Sequence, residues 1–156
     1  MMIVDCSFVA GDWPDECAVE ELAQRAIEAS IAGARLELPT DAEVSVVFAD
    51  DAQMRSLNRQ WRERDKPTNV LTFAANDADG PFSPLLGDIV LASETIAREA
   101  REQGKSFEAH LTHLIIHGFL HLNGHDHLVE AEALAMERLE TEICAELGIA
   151  DPHAAH

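Results

Sequence analysis

Residues 106–127 read SFEAHLTHLIIHGFLHLNGHDH and hold six of the chain's eight histidines, His110, His113, His117, His121, His125 and His127. Ser106 is a good helix cap and Asn123-Gly124 a good stop, so the stretch predicts one helix. Leu111, Leu114, Ile115 and Leu122 form one stripe along it. His113, His117 and His121, spaced by four, share another. The apolar stripe needs a sheet or other helices to cover it. The histidine stripe is too dense for a polar face that merely happens to use histidine.

Neighbours at i and i+4 on a helix can direct two imidazole nitrogens to one cation, about 2.0–2.1 Å from each. A third histidine at i+8 cannot join them, because His113 and His121 are separated by about 12 Å of helix rise. The third ligand must come from chain that turns back beyond the helix, and Gly124 supplies the turn. Two sets satisfy this geometry: His117, His121 and His127, or His113, His117 and His125. The first is preferred because its bend follows directly on its helical pair. Three neutral nitrogens leave a coordination position open for water, the catalytic arrangement of zinc. Nickel and copper also suit such ligands. The spacing His117-x3-His121-x2-Gly124-x2-His127 fits the ligand skeleton of metzincin proteases. There a glutamate follows the first histidine as general base; here that position is Gly118.

Outward from this helix, residues 2–9, 43–49, 70–73 and 86–92 have the composition of short strands. Residues 15–32 place Val19, Leu22, Ala23, Ala26 and Ile27 at helical spacing. Asp50, with Gln53 as capping-box partner, opens a helix that runs to about residue 62. Asp65-Lys66-Pro67-Thr68 and residues 76–84 read as loops. Ser93 is placed to cap a helix ending near Gly104, and a last helix spans about 128–147 before Gly148. Strands come first and helices dominate the end, which predicts an α+β fold with helices packed on one small sheet. Residues 1–150 are expected to be a single domain and 151–156 a short tail.

Hydrophobic residues make up 47% and charged residues 26% of the 156, ordinary for a folded soluble chain and against disorder. No apolar run is long enough to span a membrane, and the N-terminus lacks a basic signal-peptide region. Cys6, Cys17 and Cys144 have no metal-type spacing and are expected to be free thiols, with Cys144 packed as a small hydrophobe. A cytoplasmic location is expected. The net charge is −18, which argues against coating nucleic acid by bulk attraction. Yet Arg55, Arg59, Arg62, Arg64 and Lys66 lie within twelve positions against only Glu63 and Asp65. They make either a local positive surface or a solvated arginine face.

The stretch His117–His127 (HGFLHLNGHDH) resembles the HGxLHLxGYDH signature of the YbeY family of bacterial endoribonucleases, which act in ribosomal RNA maturation. Residues 57–73 (LNRQWRERDKPTNVLTF) resemble the family's LNxxYRxxDxPTNVLSF segment, and Leu86-Gly87-Asp88-Ile89-Val90 its GD(I/L)xI strand. The blocks stand in the family's order across residues 57–127. The resemblance implies a small mixed sheet covered by helices, taken here as four strands and about five helices. It implies one zinc ion per chain on His117, His121 and His127 at the base of a cleft, and a functional arginine that falls on Arg62. Two positions depart from the family pattern. His125 replaces its tyrosine, keeping a hydrogen-bond donor but adding a competing ligand, and Trp61 stands beside Arg62.

The activity expected is hydrolysis of single-stranded RNA, in 16S ribosomal RNA 3′-end maturation and ribosome quality control. Arg62 would stabilise the phosphate, Arg59 and Lys66 would hold flanking phosphates, and Asp126 and His125 would support the ligand set. Asp126 serves equally well as a cap for the turn. Asp88 and Asn69 are polar candidates for a base, with nothing in the sequence to place them by the metal. Only Trp61, Phe73 and Phe82 could stack on bases, and Phe73 reads better as core. Weak, salt-sensitive RNA binding that relies on ribosomal particles and proteins is therefore expected, with no DNA or membrane partner. Two other functions fit: a metal-dependent hydrolase of another bond, such as a peptide, or a non-catalytic zinc-stabilised ribosome-assembly factor. The acidic segments 15–32 and 128–147 suit docking on basic ribosomal proteins, or are simply solvated faces.

Overall fold

The computed structural model of the chain describes residues 3–38, 42–62, 69–74, 85–123 and 130–149. Four strands, β1 (Ile3–Phe8), β2 (Glu43–Ala49), β3 (Val70–Ala74) and β4 (Leu85–Ala92), form one sheet in the order β1-β2-β4-β3. β1 pairs parallel with β2 and β2 parallel with β4, whereas β3 runs antiparallel to β4. Parallel neighbours need a long crossover, which α1 (Glu16–Ala34) supplies between β1 and β2. The other helices among the described residues are α2 (Asp51–Arg62), α3 (Ser93–Gln103), α4 (Phe107–Leu122) and α5 (Glu130–Glu146). The class is α+β with a mixed four-stranded sheet and five helices, as expected from the sequence.

Alternation along the strands divides the core. Val44, Val46 and Phe48 of β2 and Ile89 and Leu91 of β4 pack with Val19, Ala23, Ala26 and Ile27 of α1 and with Leu111, Ile115, Ile116 and Phe119 of α4. The intervening residues Ala49, Val90 and Ala92 point the other way, onto Met54 of α2. The sheet thus lies between α2 on one side and the α1–α4 pair on the other. α5 closes the second layer through Met136, Ile143 and Cys144. Gly33 gives α5 room to approach α1, since a Cβ there would stand 2.6 Å from Cγ1 of Ile143. Cys144 is buried among these apolar groups as expected, and none of the three cysteines is in a disulfide.

Caps follow the expected scheme with one exception. The Asp50 carboxylate accepts from the Gln53 amide at 2.9 Å, and the Ser106 hydroxyl accepts from the Ala109 amide at 3.1 Å. Gly104 closes α3 in the left-handed region at φ 67°. Ser93, however, does not cap α3: it is the first helical residue, buried, and its Oγ finds no partner among the described residues. The capping acceptor comes from another helix. Asp51 Oδ1 accepts from the Thr95 amide at 3.1 Å and its hydroxyl at 2.8 Å, while the Asp51 amide donates to Glu94 Oε1 at 3.0 Å. The first turns of α2 and α3 therefore cap each other. No helix of the described residues is long and apolar enough to cross a membrane.

Candidate metal centre

α4 presents three different surfaces. The first is apolar and meets the sheet. Gly118 lies at its closest point, where a Cβ would stand 3.1 Å from Cγ2 of Ile89, 3.3 Å from Cγ2 of Thr72 and 3.5 Å from Cγ2 of Val70. Position 118 thus faces the core. A glutamate here would drive its carboxylate into β3 and β4 rather than toward the histidines.

The second surface meets β3 and α3. His110, 4% exposed, shares a hydrogen bond of 2.8 Å between its Nε2 and Glu99 Oε1. The same carboxylate oxygen accepts from Asn69 Nδ2 at 3.0 Å. Asn69 is thereby committed to α3, immediately before β3. The Ala92 amide also donates to its carbonyl at 3.1 Å.

The third surface carries His113 and His117 and faces α5. There Glu140, its side chain only 2% exposed, receives both rings. His113 Nε2 lies 2.5 Å from Oε1, and His117 Nδ1 lies 2.8 Å from Oε2. Burial alone would push this carboxyl up. Hydrogen bonds from the two histidines, with the pull of positive charge whenever their rings are protonated, outweigh it and hold the pKa at about 2. The His117 side chain is 31% exposed, against 12% for His113. Nδ1 of His117 is the nitrogen turned to Glu140. His113 has given Nε2 to the carboxylate, and its Nδ1 is buried. His121 follows one turn after His117, half-buried. Asn123 ends the helix, its side-chain amide donating to the Phe119 carbonyl at 2.8 Å.

These groups suit a divalent cation as far as they go. His117 and His121 are two imidazoles at i and i+4 beside the helix end, one of them anchored through its far nitrogen. Among the described residues no three histidine, cysteine or acidic side chains come together as a complete ligand set. His125, Asp126 and His127 lie outside the described residues, as do Lys66 and Phe82. Arg62 is the last residue of α2, and Arg55 and Arg59 are exposed on the same helix. Positions 55, 59 and 62 share one face by their spacing. Asp88 and Phe73 occupy the opposite side of the sheet from α4. With Val9, Val47, Gln53, Leu57 and Val90 they line an open groove of about 670 Å³ beside α2. Phe73 packs partly buried against the Met54 cluster, as a core residue would.

Glu140 is the functional candidate that motif reading does not find. One signal was present: it occupies the same helical stripe as Met136, Ile143 and Cys144, where every other residue is apolar and buried. The acidic side chains around it, Glu137, Glu142 and Glu146, are exposed.

A mixed four-stranded sheet packed between helices is an architecture shared with a solved protein. A solution structure from Thermotoga maritima matches with a TM-score of 0.57, covering 99% of this chain and 100% of its own at 24% identity, and supports the fold. At the level of sequence, residues 12–148 match the family model described as Endoribonuclease YbeY. Proteins of that name from Chelativorans sp. (strain BNC1) and Rhizobium meliloti (strain 1021) are 54% and 48% identical. The alignments cover 97% and 96% of this chain and 93% and 94% of those proteins. The chain belongs to the endoribonuclease YbeY family.

Proposed function

We propose that this protein is a zinc-dependent endoribonuclease that cleaves single-stranded RNA, with precursor ribosomal RNA as its substrate and the cytoplasm as its site of action. The observation that carries the reading is the state of His117. Its Nδ1 is bound by a buried carboxylate, a pairing that would put the lone pair of the neutral ring on Nε2, and the same helix also bears His121. His127, from the chain beyond the helix, would complete the set. His113 has neither nitrogen available in the same way, which favours this set over the one built on His113, His117 and His125.

When bound, zinc would supply Lewis-acid polarisation of a phosphoryl oxygen and lower the pKa of water toward about 7. The chain's own contribution is positioning and charge. Arg62, at the end of α2, would bind the scissile phosphate through its guanidinium fork and stabilise negative charge developing there. Arg59 and Lys66 would hold flanking phosphates, and Asp126 and His125 would orient the ligand histidines. A local basic stripe within a −18 chain suits a substrate drawn in by a few phosphate contacts, with ribosomal particles supplying the rest of the affinity.

The peptidase alternative is weakened further by Gly118. The position that would carry its glutamate base is packed against Ile89, Thr72 and Val70. The decisive assay is cleavage of a single-stranded ribosomal RNA precursor by wild type and Arg62→Ala at equal metal content and folding. Wild type should cleave, and Arg62→Ala should be slower by about 100-fold or more. Equal cleavage by both would remove Arg62 from the mechanism. No cleavage by either, with ribosomal particles as substrate too, would favour the non-catalytic assembly factor.

A further inference from the structure

Glu140 is a carboxylate in the middle of an apolar helix stripe, and the reaction just described does not use it. A buried acid persists only where hydrogen bonds replace its hydration. Here both oxygens are engaged, each by a different ring: Oε1 by His113 and Oε2 by His117. An ionised carboxylate only accepts, so both rings must donate to it. For neutral His117 this puts the proton on Nδ1 and the lone pair on Nε2, the form a cation can bind. His113, four residues earlier on α4, braces the other oxygen and so fixes the carboxylate's plane.

We propose that Glu140 is the positioning residue of the metal centre: it sets the tautomer and ring direction of His117, with His113 as its brace. The inference rests on the reading of His117 as a ligand. It has a structural corollary. Glu140 belongs to α5, so seating α5 against α4 and readying His117 for a cation are one event.

The test uses the full chain, with zinc as the probe, as wild type, Glu140→Gln, His113→Gln and His117→Ala. Zinc affinity is read by competition with a chromophoric chelator. The protonated nitrogen of His117 is read in the metal-free protein from long-range 1H–15N correlations, and thermal melting reports folding. A glutamine has one accepting oxygen and an amide that must donate, so it cannot take both rings as donors. Glu140→Gln should fold, bind zinc about 10–100-fold more weakly and lose the uniform Nδ1–H state of His117. His113→Gln should weaken binding less, on the order of a few-fold to tenfold. A folded Glu140→Gln with wild-type affinity and an unchanged His117 tautomer would overturn the proposal and leave Glu140 a purely structural acid. Should Glu140→Gln fail to fold, His113→Gln decides, and unchanged affinity there overturns the proposal. If His117→Ala keeps wild-type affinity, the ligand assignment itself is wrong and the proposal falls with it. If His117→Ala loses zinc while Glu140→Gln keeps it, only the role of Glu140 falls.

Discussion

Two carboxylates take hydrogen bonds from histidines of the same helix, and they are arranged in opposite senses. At Glu99 the histidine is the buried member: His110 is 4% exposed and the carboxylate 27%. At Glu140 the carboxylate is the buried member, 2% exposed, and His117 reaches outward at 31%. The first arrangement spends its imidazole inside the protein, tying α4 to α3 and, through Asn69, to the start of β3. The second hides the acid and presents the imidazole. The same pair of residue types is thus a lock in one place and a mount in the other, and the difference is which partner the packing exposes. A histidine count along α4 cannot distinguish the two; the depth of each acid does.

The contrast can be broken by substitution. His110→Ala should cost stability by about 2–4 kcal/mol, through the cavity and the lost bond to Glu99, yet bind zinc within about twofold of wild type. Urea unfolding and chelator competition on the same sample measure both. A tenfold loss of zinc affinity at unchanged stability would put His110 in the metal centre and collapse the distinction.

A smaller effect is expected where α4 meets the sheet. Gly118→Ala should destabilise the protein by about 1–3 kcal/mol, because the Cγ2 atoms that a Cβ meets belong to β-branched side chains, which turn only by leaving their rotamers. Its folded fraction should still bind zinc. A melting temperature equal to that of wild type would mean that the helix can lift from β3 and β4 without penalty, and the core-facing assignment of this position would be wrong.

The gentlest probe is pH, applied to the metal-free protein. The Glu140 carboxyl is held at about 2 when folded, against an ordinary value of 4.5. A lowered carboxyl pKa stabilises the fold above the unfolded value, so this contribution is complete above about pH 4.5 and drains away as pH falls toward 2. Unfolding free energies between pH 5 and pH 2.5 should decline in wild type, and less steeply in Glu140→Gln. Parallel slopes for the two proteins would show that Glu140 is not the acid being titrated.

How far the sequence reached depends on the range of the forces involved. Periodicity places α1 and the histidine helix, because burial of Val19, Leu22, Ala23, Ala26 and Ile27, or of Leu111, Leu114 and Ile115, is written in spacing along the helix itself. Local caps were legible at Asp50 and Ser106 for the same reason. The misreading at Ser93 marks the boundary. A good capping residue was passed over because Asp51, from a different helix, takes the Thr95 amide that Ser93 would have capped. Strand order is equally non-local, since nothing in residues 70–92 states that β4 rather than β3 will lie beside β2. Among the candidate site residues, the chain spacing offered the His117–His121 pair and the His113–His117 pair alike. Glu140 stayed hidden because its partners are 23 and 27 residues away in sequence.

The mutual capping of α2 and α3 bears on the arginine at the far end of α2. The helix is clamped at Asp51 and by the buried Met54 and Asn58, and its last turn runs on to Arg62. Eleven steps of about 1.5 Å put Arg62 roughly 16 Å from the clamp. The helix is a cantilever: a tilt of about 5° at the fixed end carries the tip through roughly 1.5 Å. Asp51 and Glu94, at the other end of the helix, thus govern where its last turn sits.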